Sequence, residues 1–587
     1  MGEIGTPQKP QNIFMTRKLF PSTLFILQVV FGFAQDKNSD TYFELFRPLY
    51  KGELAYETVD FVEKYWRVPG NTGFNKTVYR IAEKLEAAGY VLEKEASESD
   101  RMTYRIEKRG MENPTWEPVD ASLTIVGQDT MLLKHSTNRN MIYLNSVSTP
   151  QEGVVAELVK IKNYAEIKNR NLKGKIVFCE LSARKIFEET FVKKGVLGIL
   201  TYNNPKYLQP EKNNTSIQFR SLPFQKETKA WGIALSFIAK EALEKALTNG
   251  KVEVLVKIET KMYPSEELTI IAEIKGSKIP KERLVFSAHI QEPGANDNAT
   301  GVGAQLEMAV LTGKMIKNQQ IDVARTLTYL WGDEIVSTHR YIMEDKIRAK
   351  NIKWGISLDM VGENTAITGG SFLIEKMPDP SAIWTRGKDR HSEWGGETMK
   401  LKEMKPHYLN DFIWTNFQKQ GEFANWEVNM NPFEGGSDHI PFLKADIPGL
   451  LLWHFTDQFY HTDNDRIDNV SKETLKNVGT SALVCALILL NADTDTALSL
   501  LSTIKKAAQK RLDEEFDLSL KSIKSGTSIN NELKIINAWQ DWYLKSIRTL
   551  KDMDHGSSQK LSTAIKAAQK DLKKSVKGKR KILKNAN

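Results

Sequence analysis

Residues 284–303 read LVFSAHIQEPGANDNATGVG. An apolar run ends in His289, a Gly- and Asn-rich loop carries Asp297 eight residues on, and small residues lead into the apolar-patterned GVGAQLEMAVLTGKMI at 301–316. A short apolar run bounded by turn residues reads as a buried strand, and the spaced pattern after it as a helix. The same rhythm surrounds it: LTIIAEI at 268–274, TLTYLWG at 326–332, a helix around Tyr341, WGISLDMV at 354–361, GLLLWHF at 449–455 and a long helix starting near Lys472. Strands alternating with helices predict an α/β fold whose core is a mostly parallel mixed sheet sandwiched by helices.

The chain has 587 residues, 41% hydrophobic and 26% charged. At roughly 150 residues per domain this allows two to four domains of ordinary globular composition. Five segments are expected. Residues 1–34 read as a secretory leader, with Met15 as an alternative start: Arg17 and Lys18 precede an apolar stretch, and Gly32 and Ala34 are small residues before a cut. Residues 35–119 hold two amphipathic helices separated by RVPGNTG at 67–73 and form the first part of the main domain. Residues 120–262 switch to short β-like runs, including GKIVFCEL at 174–181, and read as an insertion. Residues 263–494 carry the βα rhythm, and 495–587 read as a charged helical hairpin appendage.

The net charge of +9 comes with lysines spread through the chain and concentrated in KDLKKSVKGKRKILKN at 570–585. No basic motif is interleaved with aromatics, so a solvated, partly frayed helical tail is expected, with no nucleic-acid partner. The leader aside, no membrane span is expected in the mature chain, which is expected to be exported to the periplasm or beyond the cell. The two cysteines, Cys179 and Cys485, lie too far apart in sequence to suggest a thiolate zinc site. Any metal must be held by His, Asp and Glu.

Those residue types collect at the predicted strand ends. His289 follows LVFSA, Asp333 and Glu334 follow TLTYLWG, Asp359 follows WGISL, and His461 comes shortly after GLLLWHF. The carboxyl edge of an open α/β sheet is where loops carry ligand-binding groups on a rigid base. Two imidazoles and three carboxylates suit two divalent ions of the zinc class, about 3.5–4 Å apart, if one carboxylate bridges them. One arrangement places His289 and Asp359 on one ion, Glu334 and His461 on the other, and Asp297 between; other pairings satisfy the same count.

The ordered segments AHIQEPGANDNATG, WGDE, SLDMVG, GGSDHIPF and YHTDND resemble the co-catalytic zinc exopeptidases of metallopeptidase family twenty-eight, over roughly residues 40–495. GKIVFCEL and KGVLGILTY are similar to the protease-associated domain inserted in many of them. The resemblance implies a secreted exopeptidase, most simply an aminopeptidase acting on peptides, with two zinc ions per chain. It implies His289, Asp297, Glu334, Asp359 and His461 as ligands, with Asp297 bridging, and Asp333 in the general-base position. Asp438 and His439 support the site without ligating. Gln291 stands where the family has an Asp that orients the first histidine, and it is expected to do so through its amide oxygen. EIVSTHRY at 334–341 is shorter than the family loop, which leaves Glu334 open as ligand, base or both. Three other readings stand beside it: a peptidase-fold binding protein with little or no turnover, to which the departures at Gln291 and Asp333 point, a carboxypeptidase within the same hydrolase class, and a glutaminyl-cyclase-like enzyme of similar fold. Trp384, Trp394 and Trp414 are candidates for the substrate wall, and His454 for the core. His135, His339, His391, His407 and His555 are expected on the surface or in loops. Oligomeric state and substrate side-chain preference are not encoded in these motifs.

Overall fold

The computed structural model describes residues 39–396 and 398–586; the expected leader lies outside them. The main sheet has nine strands. From one edge to the other they are Val91–Leu92, Met102–Gly110, Glu266–Ile274, Arg325–Gly332, Ile279–His289, Ile352–Leu358, Gly449–Phe455, Ser371–Glu375 and Asn429–Asn431. The four strands from Arg325–Gly332 to Gly449–Phe455 run parallel. Antiparallel neighbours flank them on both sides. Two of the parallel strands, Arg325–Gly332 and Gly449–Phe455, are buried along their whole length, as expected where helices cover both faces.

Alternation along Ile279–His289 shows the two faces. Leu284, Phe286 and Ala288 join the large core with the helices Ala299–Lys317 and Lys472–Leu490. Val285 turns the other way, onto Tyr341, Ile342 and Phe442. Lys472–Leu490 is long and apolar enough to cross a membrane by length and composition, but its apolar residues are spent in this core. Because the central strands are parallel and in register, with His289 opposite Gly332 and Leu358 opposite Leu452, their carboxyl ends form one edge.

A second, seven-stranded sheet is built wholly from residues 115–263 around its own core, which includes Cys179. Thr115 pairs with Tyr263, so the insertion opens at Thr115 rather than at 120, closed by a two-stranded ribbon.

The C-terminal segment departs from expectation. It forms three helices, Thr494–Lys524, Ile529–Thr549 and Gln559–Lys584, which share the core of the main sheet. The lysine-rich last helix is not frayed: Leu561, Ile565, Ala568, Leu572, Val576 and Leu583 lie buried at helical spacing, and its lysines occupy the other face. Arg325, fully buried in a sheet strand, donates from Nη1 to Ala492 O at 2.8 Å and from Nη2 to Met553 O at 3.2 Å. Arg386 pairs with Glu515 and Glu532, each at 2.6 Å.

Candidate metal centre at the strand ends

The loop after His289 is clamped from both sides. The buried Arg67 guanidinium, from RVPGNTG, donates to Ile290 O at 2.7 Å and Gly294 O at 2.8 Å, and its own carbonyl accepts from Glu292 N at 2.9 Å. Asp465 accepts from Asn296 N at 2.8 Å and Asp297 N at 3.0 Å. Gly294 is required there, since a Cβ would lie 2.1 Å from Asp465 Oδ2. Asn298 then caps the helix Ala299–Lys317 through its side-chain oxygen.

These clamps bring six donor side chains together. Ligand atoms of His289, Glu334 and Asp359 lie within 4.8 Å of one another, as do those of Glu292, Asp297 and His461. His289 Nε2 is 3.2 Å from Asp359 Oδ2, 3.6 Å from Asp297 Oδ1 and 3.9 Å from Glu334 Oε1. His461 Nε2 is 2.8 Å from Asp297 Oδ2 and 3.2 Å from Glu292 Oε2. Asp297 thus offers one oxygen to each group.

Residues and chemistry fit a divalent metal. His289 Nε2, Glu292 Oε2 and Asp359 Oδ1 are buried atoms without a hydrogen-bond partner. His289 Nδ1 donates to the Gln291 carbonyl at 3.3 Å, so Nε2 keeps its lone pair towards the acids. Burial opposes a charge on His461, yet the Glu292 and Asp297 carboxylates outweigh it and push its pKa up to about 10. Burial, with the neighbouring Glu292 and Asp359 charges, raises Glu334 well above the usual carboxylate range. Four carboxylates with two imidazoles give the site surplus negative charge, which suits a divalent metal.

Several expectations need correcting. Glu334 groups with His289 and Asp359, not with His461. The Gln291 side chain does not reach His289. Its Oε1 accepts from Glu334 N at 2.6 Å and its Nε2 donates to Glu334 Oε2 at 3.2 Å, so it orients Glu334 instead. Asp333 does not line the cavity over the centre. Its carboxyl is pushed up to about 7, first by burial and then by the neighbouring Glu267 and Asp438 charges, with His289 acting in the opposite sense. Glu292, three residues beyond His289, escaped the sequence reading, which weighed only position 291.

The surrounding residues hold this arrangement. Ser437 Oγ donates to Asp359 Oδ2 at 2.8 Å, and Asp438 Oδ1 accepts from Ile335 N at 2.6 Å. His439 Nε2 lies 2.9 Å from Glu375 Oε1. His454 donates from Nδ1 to Met360 O at 2.6 Å, and burial holds its pKa down to about 4. The insertion reaches the centre as well: Phe219 packs on the His461 ring at 4.5 Å and its N–H donates to His461 O at 2.9 Å. Glu292, Ile335, Met360 and His461 all have left-handed backbone, with φ between 53° and 85°. Each such residue costs on the order of 1–3 kcal/mol and persists only where its surroundings over-determine it.

A cavity of about 260 Å³ opens on the centre between Trp394, Trp453, Tyr460 and Gly435–Gly436. Its volume lies just under the roughly 300–1,000 Å³ of drug-sized ligand pockets, which suits a short piece of substrate. Trp394 is part of this wall, whereas Trp384 and Trp414 pack on the main core. His407 is also away from the surface: it is 3% exposed and sits 3.3 Å from Asp552 beside the C-terminal helices.

Residues 269–486 match the family model described as Peptidase family M28. Aminopeptidase YwaD of Bacillus subtilis is 23% identical over 379 residues, covering 62% of this chain and 71% of its own length. Carboxypeptidase Q of Bos taurus is 25% identical over 411 residues, covering 66% and 78%. Among solved structures, the Peptidase M28 precursor from Shewanella amazonensis SB2B has a TM-score of 0.53 at 17% identity, covering 78% of this chain and 98% of its own. At that identity the structural likeness speaks for the fold.

Proposed function

We propose that the chain, whose residues 269–486 match the model of Peptidase family M28, is a zinc metallo-exopeptidase that works with two ions as an aminopeptidase. The observation that carries the two-ion reading is Asp297, with Oδ1 turned to His289 and Oδ2 to His461. His289 and Asp359 would hold one ion beside Asp297, and His461 and Asp297 would hold the other. Zinc, when bound, supplies a Lewis acid for the scissile carbonyl and water that ionises near neutral pH.

The protein's own groups do the rest. Gln291 ties Glu334 at its backbone N–H and at Oε2, which aims Oε1 at the centre. Glu334 Oε1 accepts a proton from the attacking water and returns it to the leaving amine nitrogen. Trp394, Trp453 and Tyr460 exclude bulk water from a cavity that takes a short end of a peptide. The similarity to Aminopeptidase YwaD supports action at the amino end, and that to Carboxypeptidase Q supports the second reading, action at the carboxyl end.

Hydrolysis of aminoacyl anilides against N-blocked dipeptides separates the two. Cleavage of the anilides alone is expected. Cleavage of the blocked dipeptides alone gives the carboxypeptidase reading, and zinc uptake with neither cleaved gives a binding protein. We also propose export, supported by Arg17, Lys18 and the apolar stretch up to Ala34. A processed chain recovered outside the cytoplasm is expected; an intact cytoplasmic chain refutes export.

A further inference from the structure

We propose that Glu292 is the carboxylate ligand of the second ion, in the role the motif resemblance gives to Glu334, so that Glu334 is left as the proton-transfer group alone. This rests on the two-ion reading above.

The segment after Gly332 delivers one carboxylate to the cavity. Asp333 does not line the cavity, and after Glu334 the chain turns at Ile335, φ 63°, into the helix Val336–Met343. A single Glu334 side chain must then be ligand or base. Geometry sets it on the side of the first ion: its Oε1 stands by His289, 3.9 Å from Nε2, and it groups with His289 and Asp359, whereas Glu292 groups with His461. Gln291 fixes its other oxygen and its backbone N–H.

Glu292 fills the place. Its Oε2 is 3.2 Å from His461 Nε2 and makes no hydrogen bond, and it shares a group with Asp297. His289, 1% exposed, points an unpartnered Nε2 into the same centre from the other side. Glu292 reaches this position through left-handed backbone, φ 85°, held by the bond from its N–H to Arg67 O. Three protein groups would then hold each ion: His289, Asp359 and Asp297 for one, His461, Glu292 and Asp297 for the other. That is the ligand count of a catalytic zinc site. The loop that carries the first histidine therefore serves both ions.

The test is a calorimetric zinc titration of the metal-free full-length protein, with elemental analysis and the absorption of the cobalt(II)-loaded forms. Wild type takes two ions. Glu292→Gln is expected to keep one tight ion and to bind the other at least about 100-fold more weakly, beyond the 10–100-fold usual for outer contacts. One set of cobalt bands is lost with it. Glu334→Gln is expected to keep both ions while kcat falls about 10²–10⁴-fold, the usual worth of general-base help, with KM little changed. Glu292→Asp, which keeps a shorter carboxylate, is expected to bind the second ion with intermediate affinity, and it serves should Glu292→Gln not fold. Two tight ions in both Glu292 variants, or one ion in Glu334→Gln, overturns the assignment and leaves the two-ion reading intact. A wild type that takes up fewer than two ions overturns that reading instead.

Discussion

Replacing Arg67 with methionine tests whether the ligand loop is held by one buried cation. The guanidinium donates to Ile290 O at 2.7 Å, Gly294 O at 2.8 Å and Val62 O at 3.1 Å, and it is fully buried. Each buried carbonyl left without its donor costs about 1–3 kcal/mol, so three give roughly 3–9 kcal/mol. Removing the cation recovers part of this, because burial, and then the nearby Arg139 charge, already hold the Arg67 pKa down to about 9. The expected net loss is about 3–5 kcal/mol, in line with removing one partner from a buried charged set. Arg67 Nη2 also donates to Asp297 O at 3.4 Å, behind the bridging carboxylate, so zinc affinity at the His461 side is expected to fall about 10–100-fold. Urea unfolding of the metal-free proteins reads the first number and zinc titration the second. A variant within about 1 kcal/mol of wild type and with unchanged zinc affinity refutes the clamp.

Other outcomes follow from particular contacts. Arg325→Met removes the donors to Ala492 and Met553; a loss of about 3–5 kcal/mol and faster limited proteolysis beyond residue 491 are expected, and an unchanged digestion pattern contradicts the docking of those helices. Trp394→Ala opens the cavity wall and is expected to raise KM with little change in kcat, the signature of lost uniform binding; an unchanged KM removes Trp394 from the substrate site. His454 has a folded pKa depressed to about 4, chiefly by burial. Its stabilisation is whole above the unfolded value of about 6.5 and lost as pH falls to about 4, roughly 3 kcal/mol in all. His454→Gln in the metal-free protein is expected to flatten the stability profile by that amount in that window, and an unchanged slope refutes it.

The parallel sheet was legible because its central strands are continuous apolar runs, as in GLLLWHF at 449–455, and each polar group of the centre but one follows such a run closely. Which of two consecutive residues faces the cavity was not. Glu334 lines the cavity and Asp333 does not, so a shift of one position exchanges their roles. Glu292 was hidden for another reason: its direction depends on a left-handed φ and on Arg67, more than 200 residues away. Gln291 was read as an orienting residue, and it is one, but for Glu334 through its side chain while its backbone carbonyl serves His289. The C-terminal helices misled by composition. A lysine-rich helix with one apolar stripe looks the same in sequence whether the stripe is solvated or docked, and the partners of Arg325 lie 167 and 228 residues further along the chain.

A hydrolytic centre of two ions joined by Asp297 needs both ions for turnover. The direct measurement is peptide hydrolysis by the metal-free full-length protein as zinc is added in known equivalents. Activity absent without zinc and rising to a plateau at two ions per chain is the predicted result. A plateau at one ion, or hydrolysis that survives complete removal of zinc, contradicts it.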